Sequence, residues 1–153
     1  MAKASPGKWA KRLGMLILGM SIAGTAHGQS VPTYHASADR SGNFILPGLT
    51  WERARNIHLD PSFHPRFAGH LYAQPLYWRP PGSVSGQLLV ATEDNHVDAI
   101  DAASGRAVWG RALGRPVPLS TLDCGNIDPL GITGTPVIDE VTQAIYVLSL
   151  IHI

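Results

Sequence analysis

Two short runs hold the oxygen atoms with which this chain could do chemistry. Glu93-Asp94-Asn95 form one polar turn, and Cys124, Asn126 and Asp128 crowd into a second polar stretch. Carboxylate and amide oxygens are what calcium takes, several at a time. Glu93, Asp94, Asn126 and Asp128 are therefore the candidate residues for holding a cation, or a cofactor beside one. The same residue types are ordinary turn formers, because Asp and Asn side chains hydrogen-bond the backbone two residues on. A purely structural reading of both runs stands beside the ligand reading.

Cys124 is the only cysteine, so no disulfide closes within the chain. Two roles are open for it: a buried thiol, or one half of a bridge whose partner lies in sequence this chain lacks. A nucleophilic thiol is disfavoured, since no basic neighbour or helix start is at hand to lower its pKa. Among the seven histidines, His58, His64 and His70 follow at equal six-residue steps. That spacing matches no common zinc arrangement, and they are read as solvated or structural. No metal site is assigned. A phosphate-cradling Gly-rich loop, a nucleophile elbow and a basic stripe for nucleic acid are all missing, and no catalytic residue is identified. With a net charge of +1 and 15% charged residues in 153, the composition is that of an ordinary globular protein, and charge names no partner.

The elements that must position these residues are strands. Twelve prolines and sixteen glycines against three Phe, four Tyr and four Trp indicate many turns and few long helices. From residue 71 onward, short apolar runs alternate with turn residues. Residues 71–78, 87–92, 96–101 and 107–112 are predicted strands, separated by Arg79-Pro80-Pro81-Gly82-Ser83, Glu93-Asp94-Asn95 and Ala102-Ala103-Ser104-Gly105. Four strands in about 40 residues is the size of one propeller blade. The pattern then restarts. Gln74-Pro75-Leu76-Tyr77 before Gln87-Leu88-Leu89-Val90 has its counterpart in Thr135-Pro136-Val137-Ile138 before Ala144-Ile145-Tyr146-Val147, with a long connection, 113–131, between the units. Ahead of the strands, residues 29–70 are predicted to run as an extended entry segment over the surface. It has no regular element before residue 43, and a short helix over 51–56 is capped by Thr50 and ended by Pro61 and Pro65.

The most specific motif is Ala99-Ile100-Asp101-Ala102-Ala103-Ser104-Gly105-Arg106-Ala107-Val108-Trp109. Asp101 is placed to accept backbone N–H bonds in an Asx-type turn, and Gly105 to take the positive φ that closes a hairpin. The stretch resembles the repeat Ala-x-Asp-x-x-Thr-Gly-Lys-x-x-Trp of pyrroloquinoline-quinone (PQQ) type β-propellers. Four key positions are identical, and Ser104 and Arg106 are conservative replacements. Residues 71–77 and 124–139 resemble inner-strand openings of blades in the same family.

The resemblance implies an all-β fold, a β-propeller of four-stranded antiparallel blades, with about one complete and one partial blade over residues 71–147. It also implies that Trp109 packs between adjacent blades, which makes Ala99, Asp101, Gly105 and Trp109 a structural clasp and not a cofactor site. PQQ and calcium enter as cofactors only through this resemblance, since the family's dehydrogenases use both. Their adjacent-cysteine disulfide, their Asp base and the Arg near the quinone are not identifiable here.

Residues 1–28 read as an export signal. Lys3, Lys8, Lys11 and Arg12 precede an apolar run, 15–23, about half the length a bilayer-spanning helix needs, and Ala26-His27-Gly28 offers cleavage before Gln29; the alternative is an N-terminal membrane anchor. A periplasmic or secreted protein with no membrane span after cleavage is expected. At the other end, Leu148-Ser149-Leu150-Ile151-His152-Ile153 back-translates to CTG TCT CTT ATA CAC ATC, the end sequence of a transposon-based sequencing adapter. Residues 148–153 are thus expected to be adapter-derived, and the chain a fragment; the alternative is a natural continuation of the preceding strand. The functional expectation is an exported PQQ-like propeller repeat protein, a binding or assembly scaffold with a protein or small-molecule ligand at the propeller face. The rival is part of a periplasmic PQQ- and calcium-dependent alcohol or sugar dehydrogenase.

Overall fold

A computed structural model describes residues 29–150; the expected export signal, 1–28, and the last three residues of the expected adapter-derived tail lie outside them. Strands β1 (Leu76–Trp78), β2 (Gln87–Ala91), β3 (His96–Asp101) and β4 (Ala107–Ala112) pair antiparallel in sequence order. Two further strands, β5 (Val137–Asp139) and β6 (Ala144–Tyr146), form a separate antiparallel pair. The only α-helix among the described residues is α1 (Trp51–Arg55), whose Thr50 side chain accepts the Arg53 N–H. No described helix is long and apolar enough to cross a membrane.

Alternation along the strands decides which face is buried. In β3, Val97 and Ala99 are buried and the intervening Asp98 is half-exposed, as the two-residue period of a strand requires. Registers align Leu76 with Leu89, Leu89 with Ala99 and Ala99 with Trp109, so these four form one cross-strand row. That row, with Trp78, packs against Ile138 of β5 and Ile145 of β6. A second cluster joins Ala73, Ala91 and Val97 to Ile132 and Val147. The apolar face of the first sheet is thus covered by the second unit. Each fully buried aliphatic side chain of this kind contributes on the order of 1.5–3 kcal/mol.

The β3–β4 hairpin forms as its residue types require. The Asp101 carboxylate accepts the N–H groups of Ser104 at 2.8 Å and Ala103 at 3.2 Å and the Ser104 hydroxyl at 2.7 Å. Gly105 takes φ +71 and donates its N–H to the Asp101 carbonyl. A side chain at Gly105 would also crowd the backbone nitrogens of His64 and Pro65 in the entry segment. Hydrogen bonds from Ser85 and then from Ser104 hold the Asp101 carboxyl down to about 2. A depressed folded-state pKa means that Asp101 stabilises the fold fully above its ordinary value of 3.8, and that this contribution is lost as pH falls from there through about 2. Asp101→Asn, which keeps an acceptor but does not titrate, is expected to flatten that part of the profile. Thermal melts of both proteins between pH 5 and pH 2 should converge towards the acid end; parallel curves would exclude the role.

The second unit repeats the device at its own turn. Asp139 accepts from Val141 N–H, Thr142 N–H and Thr142 Oγ1, and Gln143 stands at φ +58. Two features depart from the sequence expectation. The first strand spans only Leu76–Trp78 and not 71–78, because Pro75 has no N–H for a ladder and the Gln74 N–H donates instead to Thr135 Oγ1 at 2.9 Å. The entry segment is not featureless before residue 43: a 3-10 turn spans Tyr34–Ala36, and Val31 bridges to Tyr77 of β1. The connection 113–131 is tied by mutual backbone bonds between Val117 and Leu130, each 2.8 Å, and carries a second 3-10 turn, Leu119–Thr121.

Candidate functional site

The turn between β2 and β3 is built from backbone before it is built from side chains. Thr92 donates its N–H to the His96 carbonyl, Asn95 donates to the Thr92 carbonyl, and Asn95 adopts φ +57, a conformation that Asn tolerates better than most residues. Leu113 N–H then donates to Asn95, and Ile132 N–H to Thr92. With the chain clamped on both sides, Thr92, Glu93 and Asn95 are wholly buried. Glu93 Oε2 accepts the Gly131 N–H at 2.6 Å, and Asn95 Oδ1 meets the Ser149 hydroxyl. Glu93 Oε1, Thr92 Oγ1 and Asn95 Nδ2 have no partner. The half-buried Asp94 lies against Gly69.

The second polar run is arranged differently. Asn126 and Asp128 are exposed, and Asp128 accepts the Leu119 N–H at 2.9 Å, which fixes the start of the second 3-10 turn. Cys124 is free and exposed, not buried; its neighbours Asp123, Gly125 and Asn126 are exposed as well, and no apolar layer covers the thiol. Of the oxygen donors singled out by sequence, Glu93 serves Gly131 and Asp128 serves Leu119. Among the described residues no three His, Cys, Asp or Glu side chains gather closely enough to hold a metal ion. Glu93, Asp94, Asn126 and Asp128 do not come together as one donor set, and so do not fit a calcium centre with a quinone beside it. His58, His64 and His70 are all exposed.

The structural motif fares differently. Ala99 is fully buried opposite Trp109, and Trp109 packs against both apolar clusters, each of which combines residues of the first sheet with residues from beyond it. The turn Asp139-Glu140-Val141-Thr142-Gln143 was not singled out from sequence. Its Asp-x-x-Thr spacing copies Asp101-x-x-Ser104 and could have marked it, but Gln replaces Gly at the left-handed position. An open groove of about 760 Å³ lies between the entry segment at Leu59, Pro61 and Phe63 and the sheet at Leu88, Ala102 and Ala103. The chain matches no family model, and no curated protein or solved structure is significantly similar to it.

Proposed function

We propose that this chain supplies blades to an exported β-propeller of the PQQ-like repeat kind, and that the assembled protein is a binding or assembly scaffold. The observation that carries the reading is the junction between the two units. Trp109, trailing the Asp101–Gly105 hairpin, enters both apolar clusters, and Gln74 reaches Thr135, the residue at the same place in the next repeat. Contact between equivalent positions is what stacking of repeats about an axis requires. Fold leaves function open, so the choice of scaffold over enzyme rests on the polar groups. Glu93, Asp101, Asp128 and Asp139 each turn one carboxylate oxygen to a backbone N–H group of this chain, an architectural use.

The test is made on the full-length gene product. Fractionated cells should place it in the periplasm or medium. Purified protein supplied with PQQ and calcium should reduce no dye when alcohols or aldoses are added, and imaging should show a closed ring of blades. Substrate-dependent dye reduction would overturn the scaffold reading in favour of a quinoprotein dehydrogenase.

A further inference from the structure

The free edges of β1 and β5 are served by the same two residues. Val31 N–H donates to the Tyr77 carbonyl of β1 at 2.6 Å, and the Pro32 carbonyl accepts the Ile138 N–H of β5 at 2.8 Å. Tyr77 and Ile138 each pair on their other side within their own sheet, with Leu88 and Ile145. A little further on, His35 N–H donates to Gln74 Oε1 at 3.2 Å. Residues 30–33 are half-buried along this line, whereas 37–41 are exposed, so the chain leaves the two edges abruptly. We propose that the facing edges of β1 and β5 form a slot for an extended peptide, that residues 31–32 occupy it as a built-in ligand, and that a partner's extended segment docks there by displacing them.

The hydrogen-bonding pattern states what such a partner must carry. The slot offers one acceptor, the Tyr77 carbonyl, and one donor, the buried Ile138 N–H. A ligand answers both with an N–H on one residue and a carbonyl on the next. The N–H of that next residue faces neither, so proline is tolerated there, and its fixed φ holds the segment extended before binding. The half-buried first position suits an apolar side chain such as Val31. The ligand class is therefore an extended segment with an apolar residue followed by proline, held by strand addition. This deepens the scaffold reading by naming the chemistry of its partner.

The experiment keeps the full chain. A protease site is inserted between Ala38 and Asp39, within the exposed bend. The folded protein is cut and then offered a fluorescent peptide of residues 29–37. Saturable exchange is expected after the cut, and the same peptide N-methylated at Val31, which lacks the N–H for Tyr77, should bind about tenfold more weakly. Should cutting unfold the protein, the uncut Val31→Pro variant, whose own segment has lost that donor, should admit the peptide about tenfold more readily than the parent. No exchange by a cut protein that stays folded, or equal binding of the methylated peptide, or no gain in Val31→Pro, would overturn the slot. A closed ring without exchange sinks the slot and leaves the propeller standing; exchange in a protein that imaging shows to be no ring does the reverse.

Discussion

Replacing Gly131 with alanine is expected to cost about 2–3 kcal/mol, read as a lowered denaturation midpoint at unchanged slope. Gly131 is buried where the long connection crosses the β2–β3 turn. A Cβ there would overlap the Glu93 carbonyl oxygen and the Asn95 amide oxygen. Neither can step aside easily. The turn that carries them is fixed by the bonds from Thr92 to His96, from Asn95 to Thr92 and from Leu113 to Asn95, all 2.9–3.0 Å. If the connection retreats instead, the Gly131 N–H leaves Glu93, and a buried carboxylate that already has one unpartnered oxygen loses its remaining bond. Gly134→Ala is the control: nothing lies within 4 Å of a Cβ at that position, and its midpoint should stay within about 0.5 kcal/mol of the parent. A Gly131→Ala midpoint equal to that of Gly134→Ala would mean that the crossing has slack and that Glu93 is not its anchor.

Local patterns in the sequence located what local chemistry builds. Strands β3 and β4 fall on the residues predicted for them and β2 ends one residue early, because alternation and the Asp101–Gly105 turn fix both register and ends within a few residues. The Thr50 cap likewise marks α1. What the sequence did not reveal depends on distant partners. Residues 71–75 look like strand by composition, yet the Gln74 N–H is drawn to Thr135, far along the chain. Nothing in the polar stretch 29–43 announces that Val31 and Pro32 join two sheet edges, since a single bridge leaves no period to detect.

The site was legible in type and illegible in role. Glu93 and Asn95 stand out as polar residues in a turn, and polar turns ordinarily face water. Here the 131–132 crossing covers the turn and converts the same residues into buried ties. Asp128 is a turn residue, as its type suggests, and it caps backbone nine residues away. The hairpin motif was the better guide because most of the bonds that set it are short-range, between Asp101 and Arg106, with Ser85 and Gly86 adding the distant ones.

Trp109→Ala is the substitution expected to separate the two units. Of the residues of β4, Ala107, Val108, Gly110, Arg111 and Ala112 are exposed, and only Trp109 is not, so the strand's sole packing anchor is its indole. The opposing residue is the small, fully buried Ala99, which leaves the ring room to lie across the row and reach both clusters. Complete truncation of a core aromatic costs about 3–5 kcal/mol; with the indole only half-buried, about 2–3 kcal/mol is expected, and Trp109→Phe should recover part of it. The distribution of the loss is more telling than its size. Amides of 107–112 should exchange faster with solvent, and those of Val137–Asp139 should follow, because Ile138 shares the cluster that the indole covers. Strand β3 should remain protected by its ladder to β2. If exchange quickens in β4 but is unchanged in β5, the indole anchors its own strand alone, and the coupling between the units must lie in Gln74–Thr135 and Glu93–Gly131 instead.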